Sequence, residues 1–148
     1  MIYGILNEEK IWEEKEMTDT DKKLIAEAKR VREFAYCPYS KFAVGAAVLG
    51  ASGEIYGGCN IENASFSVTN CAERTAIFKA ISSGEEDILA IAVVAEGVNP
   101  VPPCGACRQV IAEFNIPHIL MANLADEVKE MTLEELLPGA FSADDIIE

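Results

Sequence analysis

The apolar runs of this 148-residue chain predict an α/β layered domain. Three observations carry that class. A helical period comes first, two apolar runs joined by a Gly turn follow it, and strand and helix then alternate through two further rounds. No internal repeat or low-complexity run interrupts this order.

Residues 1–16 read as an N-terminal extension, and a single domain is expected over 17–148. The stretch Glu8 to Glu16 is dominated by Glu and Lys around Ile11 and Trp12, which suits a loose helix or disorder. From Thr18 to Tyr36, apolar residues at Leu24, Ile25, Ala28, Val31, Phe34 and Ala35 have helical spacing. Asp19, Thr20 or Asp21 is the expected cap and Pro38 the expected stop. Phe42–Leu49 and Glu54–Cys59 read as a β-hairpin about Ser52-Gly53. Cys71–Ser83 reads as a helix ended by Gly84, and Ile88–Ala95 as a strand covered on both faces. Pro102-Pro103 delays the next helix to Cys104–Phe114. His118–Ala122 is a short strand, Thr132–Leu137 a short helix, and Pro138-Gly139 turns the chain into an acidic tail.

Half the residues are hydrophobic, enough for one well-formed core. The net charge of −13 and a pI of about 4.4 repel polyphosphate, which argues against a nucleic-acid partner and leaves a small neutral substrate as the compatible class. Met1–Leu6 is apolar, but the charged run after it does not fit a secretory signal, and no stretch is long enough to span a bilayer. Five cysteines without such a signal suggest a reducing cytoplasm, where thiols are free to bind metal. Cys37 and Cys59 suit a role as buried small hydrophobes.

The other three cysteines are differently placed. Cys71-Ala72-Glu73 opens one predicted helix, and Pro103-Cys104-Gly105-Ala106-Cys107 opens another. Unpaired N–H groups and the positive end of the macrodipole lower thiol pKa values at such starts, which favours the thiolates that zinc needs. Cys104 and Cys107 lie within one turn, and Cys71 joins them if the two helices lie side by side. Three ligands leave the fourth tetrahedral position open for water, the mark of a catalytic zinc. Three thiolates and Zn²⁺ sum to −1, and Arg74 is placed to donate to the sulfurs and offset that charge. Glu73 is not needed as a ligand and can carry protons between water and a ring nitrogen. Other readings remain: Glu73 as a helix-dipole residue, Arg74 as an exposed helical arginine, and the C-x-x-C as a redox pair or part of a Cys₄ knuckle completed by Cys37 or Cys59.

The chain resembles the cytidine deaminase family, specifically its small tetrameric type with three cysteine ligands. The resemblance runs from about Thr18 to the C-terminus. It rests on Cys37-Pro38-Tyr39-Ser40-Lys41-Phe42-Ala43-Val44-Gly45-Ala46, Cys59-Asn60-Ile61-Glu62-Asn63-Ala64, Cys71-Ala72-Glu73-Arg74-Thr75-Ala76, Pro103-Cys104-Gly105-Ala106-Cys107-Arg108-Gln109 and Leu136-Leu137-Pro138-Gly139-Ala140-Phe141. It implies a three-layer α/β/α sandwich with a mixed five-stranded sheet. It also implies one Zn²⁺ per subunit on Cys71, Cys104 and Cys107, with Glu73 as proton shuttle. Asn60 and Glu62 fall on the ribose, Phe42 lines the base pocket, and the Ala72 N–H serves the pyrimidine carbonyl. Phe141 matches an aromatic that reaches the base from a neighbouring subunit, so the implied homotetramer completes its own sites. The family usually carries Tyr where Phe66 stands, which bears on subunit contacts rather than on chemistry. His118 matches no ligand position.

The activity so implied is hydrolytic deamination of cytidine and 2′-deoxycytidine to uridine and deoxyuridine, releasing ammonia in pyrimidine salvage. A deaminase of another cytosine nucleoside, such as blasticidin S, is the nearest rival. A non-catalytic zinc-stabilised interaction module is the alternative from another class.

Overall fold

The computed structural model describes residues 16–146, so the extension expected over 1–16 lies outside the described residues except for Glu16. Helix α1 spans Asp19–Arg32. Its cap is Thr18, not one of the three residues after it. Thr18 Oγ1 accepts from Asp21 N at 3.1 Å, and the Asp21 carboxylate accepts from Thr18 N at 3.0 Å, a reciprocal capping box. The helix also ends earlier than its apolar spacing suggests. Glu33 is the C-cap, Phe34 and Ala35 follow in tight turns, and Tyr36 bridges to Ile61. That bridge, and not Pro38, draws the chain out of the helix.

Strands β1 (Val44–Gly50) and β2 (Ile55–Cys59) form the expected hairpin. Helix α2 (Ala72–Ser82), strand β3 (Ile88–Ala95), helix α3 (Gly105–Glu113) and strand β4 (His118–Ala122) follow. Strand β5 (Val128–Thr132) has no counterpart in the sequence reading, because VKEMT lacks a continuous apolar run and lies at a half-covered sheet edge. Helix α4 (Leu133–Leu136) comes next, with Thr132 as its cap and Glu135 closing a second capping box. The five strands lie in the order β2-β1-β3-β4-β5. Only β3 and β4 are parallel, so the sheet is mixed.

Alternation along the strands divides the core between two faces. Ala47, Ala90, Ala92, Val94, Leu120 and Ala122 face α1, meeting its buried Leu24, Ile25 and Ala28. Ala46, Val48, Ile91, Val93, Ile119 and Met121 face the other way, toward Ala72, Ala76, Ile77 and Ala80 of α2 and Ile111 of α3. The result is the three-layer α/β/α sandwich. Small side chains set the close approach of its layers. A Cβ at Gly45 would lie 1.9 Å from the Ala28 carbonyl oxygen, and one at Gly58 would lie 2.5 Å from Ala76 N.

Helices α2 and α3 stop in the same way. Gly84 has φ +98°, its N–H donates to Ile81 O, and Glu85 N donates to Ala80 O. Asn115 has φ +48°, its N–H donates to Ala112 O, and Ile116 N donates to Ile111 O. Both are Schellman closures, which Gly and Asn adopt most readily. Each sends the chain directly into the next strand. The two helices thus run the same way, with both N-termini at the C-terminal end of the parallel strand pair.

Candidate metal and nucleoside site

The side-by-side helix starts bring three thiols together. Cys71 is the N-cap of α2, Cys104 is the N-cap of α3, and Cys107 lies buried in the first turn of α3. Their sulfurs all lie within 4.8 Å of one another, with Cys71 Sγ and Cys104 Sγ 3.9 Å apart. Among the described residues this is the one group of His, Cys, Asp and Glu side chains gathered closely enough to hold a metal. Cys37 and Cys59 are outside it. The Cys107 thiol, donating to Cys71, and the Arg74 guanidinium bring the Cys71 thiol down to about 5, against the opposing effect of burial. The shared bond with Cys71 pushes the Cys107 thiol up, and burial adds to it. A metal cation bound by these sulfurs displaces their protons.

Arg74 lies against the sulfurs, as its position in sequence suggests. Its Nη2 donates to Cys71 Sγ at 3.3 Å and to the Thr69 carbonyl at 3.4 Å. Its Nε is buried without a hydrogen-bond partner among the described residues. An orphaned buried donor beside three sulfurs fits a site whose thiols become thiolates on binding a soft divalent metal, since a thiolate supplies the missing acceptor. The donor set therefore suits zinc.

Glu73, two residues after Cys71 in the first turn of α2, is 5 % exposed. Burial raises its pKa, the Cys71 charge acts in the same sense, and its own backbone hydrogen bond opposes them. Ala72 is fully buried at the first position of α2, where backbone N–H groups have no intrahelical acceptor.

Phe42, Asn60 and Glu62 form a second group. Asn60 Nδ2 donates to the Phe42 carbonyl at 2.8 Å, and its Oδ1 accepts from Val44 N at 2.9 Å. Glu62 Oε1 accepts from Tyr39 N at 3.0 Å and from Ser40 N at 3.1 Å. Both polar side chains are thus partly spent on shaping the turn that presents Phe42, a duty that their place after a strand does not reveal. An amide has four hydrogen-bonding positions, so Asn60 retains capacity for a ligand. The Ser40 hydroxyl and the two backbone N–H groups hold the Glu62 carboxyl below its ordinary range, against burial. It is therefore an anion that accepts. Phe42 is 41 % exposed.

A small backbone ladder joins the two groups. Tyr36 N donates to Asn60 O, Glu62 N donates to Tyr36 O, and Ile61 and Asn70 exchange both bonds at 2.9 Å. Asn70 in turn bonds Thr75 Oγ1 at 2.9 Å, and that hydroxyl donates to Cys71 O at 3.2 Å. Glu62 is in this way tied to the start of α2. Sequence reasoning missed Asn70 and Thr75 in this role, because nothing in their identity marks them. Phe141 is 59 % exposed, with its carbonyl accepting from Gln109 of α3 at 2.8 Å. His118 lies apart from the thiols and faces Asp21 and Glu130. A separate cleft lined by Ala51, Asp87, Phe114 and Asn115 lies at the far end of α3 from Cys104 and holds none of the thiols.

Known proteins share this arrangement. Residues 18–123 match the family model described as the cytidine and deoxycytidylate deaminase zinc-binding region. A cytidine deaminase of Sporosarcina psychrophila is 59 % identical over 127 residues, covering 84 % of this chain and 93 % of that protein. One from Halalkalibacterium halodurans is 57 % identical over 125 residues, covering 83 % and 95 %. The crystal structure of cytidine deaminase from Burkholderia pseudomallei superposes with a TM-score of 0.79 at 46 % identity, covering 84 % of this chain and all of that one. With its fold, its three-thiol cluster and its sequence in agreement, the chain belongs to the zinc-dependent cytidine and deoxycytidylate deaminase family.

Proposed function

We propose that this chain hydrolyses the exocyclic amine of cytidine and 2′-deoxycytidine, giving uridine or deoxyuridine and ammonia. One observation carries the reading: a buried carboxyl, Glu73, stands two residues after Cys71 in a cluster of three thiols, a donor set that leaves the fourth position of a tetrahedral ion to water. Cys71, Cys104 and Cys107 hold the zinc, which supplies a Lewis acid and makes water nucleophilic near neutral pH. Water adds at C4 of the pyrimidine. Glu73 takes one proton from that water and delivers it to N3, then takes the proton of the new C4 hydroxyl and delivers it to the amine, which leaves as ammonia as the C4 carbonyl forms. A raised pKa suits a group that must both accept and give at neutral pH. Arg74 steadies the thiolate charge. The Ala72 N–H bonds the pyrimidine carbonyl, Phe42 packs on the base, and Asn60 and Glu62 bond the sugar hydroxyls.

The site is completed in a homotetramer, with Phe141 reaching a neighbour's base. The exposed apolar side chains Tyr36, Tyr39, Ile61, Phe66 and Val68 support such contacts. Phe66, the departure from the family's usual Tyr, packs edge-to-face on Tyr39 of its own chain with ring centres 6.4 Å apart. Among the described residues no helix is long and apolar enough to cross a membrane. The five unpaired cysteines suit a reducing cytoplasm and a place in pyrimidine salvage. Loss of cytidine absorbance with and without a zinc chelator tests the reading. Turnover that stops with chelator and returns with zinc is expected, and an inert zinc-loaded protein overturns it.

A further inference from the structure

Two consecutive residues of α3 hold the C-terminal segment at its two ends. Arg108 Nε donates to the Pro103 carbonyl at 2.9 Å, and its Nη1 donates to the Leu136 carbonyl at 2.7 Å. Pro103 immediately precedes Cys104, and Leu136 is the last residue of α4, where helix carbonyls lack N–H partners. A single guanidinium therefore joins the lead-in of the cysteine helix to the exit of α4. Gln109 Nε2 then donates to the Phe141 carbonyl. Between these anchors run Leu137, Pro138, Gly139 and Ala140. Pro138 has a fixed φ, and Gly139 takes φ +62°, which its missing Cβ permits. The segment is short and fastened at both ends to neighbouring positions of one helix. Its last anchor holds the backbone of Phe141 and leaves the ring outward.

We propose that Gln109 is a positioning residue for nucleoside binding, acting through Phe141. The proposal rests on the reading that Phe141 completes a neighbouring subunit's base pocket. By holding the Phe141 carbonyl to α3, Gln109 fixes where the ring stands relative to its own subunit and thus where it enters the next. Without the anchor, the segment after Gly139 must be ordered anew whenever substrate binds. The ring packs on a base whose reacting atom is C4, so this contact is felt in ground state and transition state alike. The cost then falls on KM rather than kcat. A lost neutral hydrogen bond corresponds to about a three- to tenfold change.

The test is steady-state kinetics on zinc-loaded full-length protein with cytidine, for Gln109→Leu, Phe141→Ala and the double variant. Gln109→Glu keeps the side chain's size without its donor and serves if the leucine variant folds poorly. Gln109→Leu or Gln109→Glu is expected to raise KM by about three- to tenfold with kcat within about twofold, at unchanged zinc content and oligomer size. Phe141→Ala is expected to raise KM further, and the double variant to be no worse than Phe141→Ala. Wild-type KM in both Gln109 variants, or effects that add in the double variant, overturns the role of Gln109 and leaves that of Phe141 standing. Wild-type KM in Phe141→Ala removes the underlying reading and the proposal with it.

Discussion

The three cysteines and the Phe42–Asn60–Glu62 group lie at one end of the sheet, yet they are built by opposite means. Each cysteine owes its place to a helix start, a feature set within a few residues of chain. Two such starts meet because α2 and α3 run the same way on one face of the sheet. In the second group the contacts of the two polar side chains are distant in sequence: Asn60 reaches Phe42 across 18 residues, and Glu62 reaches Tyr39 across 23. The first group is a local motif used twice. The second is a product of bridges between loops. The proposed function puts chemistry at helix termini and recognition in a turn that Asn60 and Glu62 themselves shape.

The contrast is tested most severely at Glu73. Glu73→Gln removes the proton carrier and keeps the volume, so kcat is expected to fall by about 10²- to 10⁴-fold with zinc content unchanged by metal analysis. Turnover within a few-fold of the parent would show that the carboxyl does not carry the proton.

Effects of about 10- to 100-fold are expected one step out from the chemistry, and they separate the two groups. Arg74→Gln should weaken zinc by about 10- to 100-fold in chelator competition, because the sulfurs lose the donor that offsets their charge. Glu62→Gln should leave zinc affinity alone and raise KM for cytidine by about 10- to 100-fold, the loss of a charged acceptor and of a taut turn. If Glu62→Gln instead releases zinc, the ladder through Ile61 and Asn70 couples the groups more tightly than their separate construction implies.

The smallest effect comes from a carboxylate outside both groups. Glu85 lies between the β1–β2 turn and the end of α2, accepting from the Ser52 hydroxyl and backbone and from the Tyr56 hydroxyl. Bonding to Ser52 first, and then to Tyr56, holds its pKa below the ordinary 4.5, against burial. Its contribution to stability is complete above pH 4.5 and is lost as pH falls through the lowered folded value. Glu85→Gln should therefore flatten the acid limb of the melting curve below that pH while leaving kcat and KM unchanged. An altered KM would place this turn within the recognition machinery.

Legibility in the sequence follows the same division. The strands Ile88–Ala95 and His118–Ala122 were readable to the residue, because their apolar runs are covered on both faces. The stop at Gly84 was readable, because a Schellman closure is written in one residue. The end of α1 was not: the apolar spacing continues through Phe34 and Ala35, and only the bridge from Tyr36 to Ile61 breaks it. Strand β5 was not, because an edge strand with mixed side chains borrows its geometry from β4. In the site, the spacing of Cys71, Cys104 and Cys107 pointed to a shared metal and left a redox pair or a Cys₄ knuckle open, and the structure gathers these three sulfurs without Cys37 or Cys59. Glu73 and Arg74 were read from their place after Cys71, whereas Phe42, Asn60, Glu62, Ala72 and Phe141 were placed by family likeness. The double duty of Asn60 and Glu62 in shaping the turn was invisible until the backbone contacts were known.

By itself, then, the sequence determined the starts of α2 and α3, the strand faces and the three cysteines gathered at those starts, because each follows from periodicity and helix-end spacing over a few residues. Only the tertiary structure decided that Asn60 and Glu62 hold the Phe42 turn, that Arg74 keeps an orphaned donor beside the sulfurs, and that Gln109 fastens the backbone of Phe141. Those arrangements join backbone groups far apart in the chain, and a hydrogen bond of that kind has no period for a sequence to display.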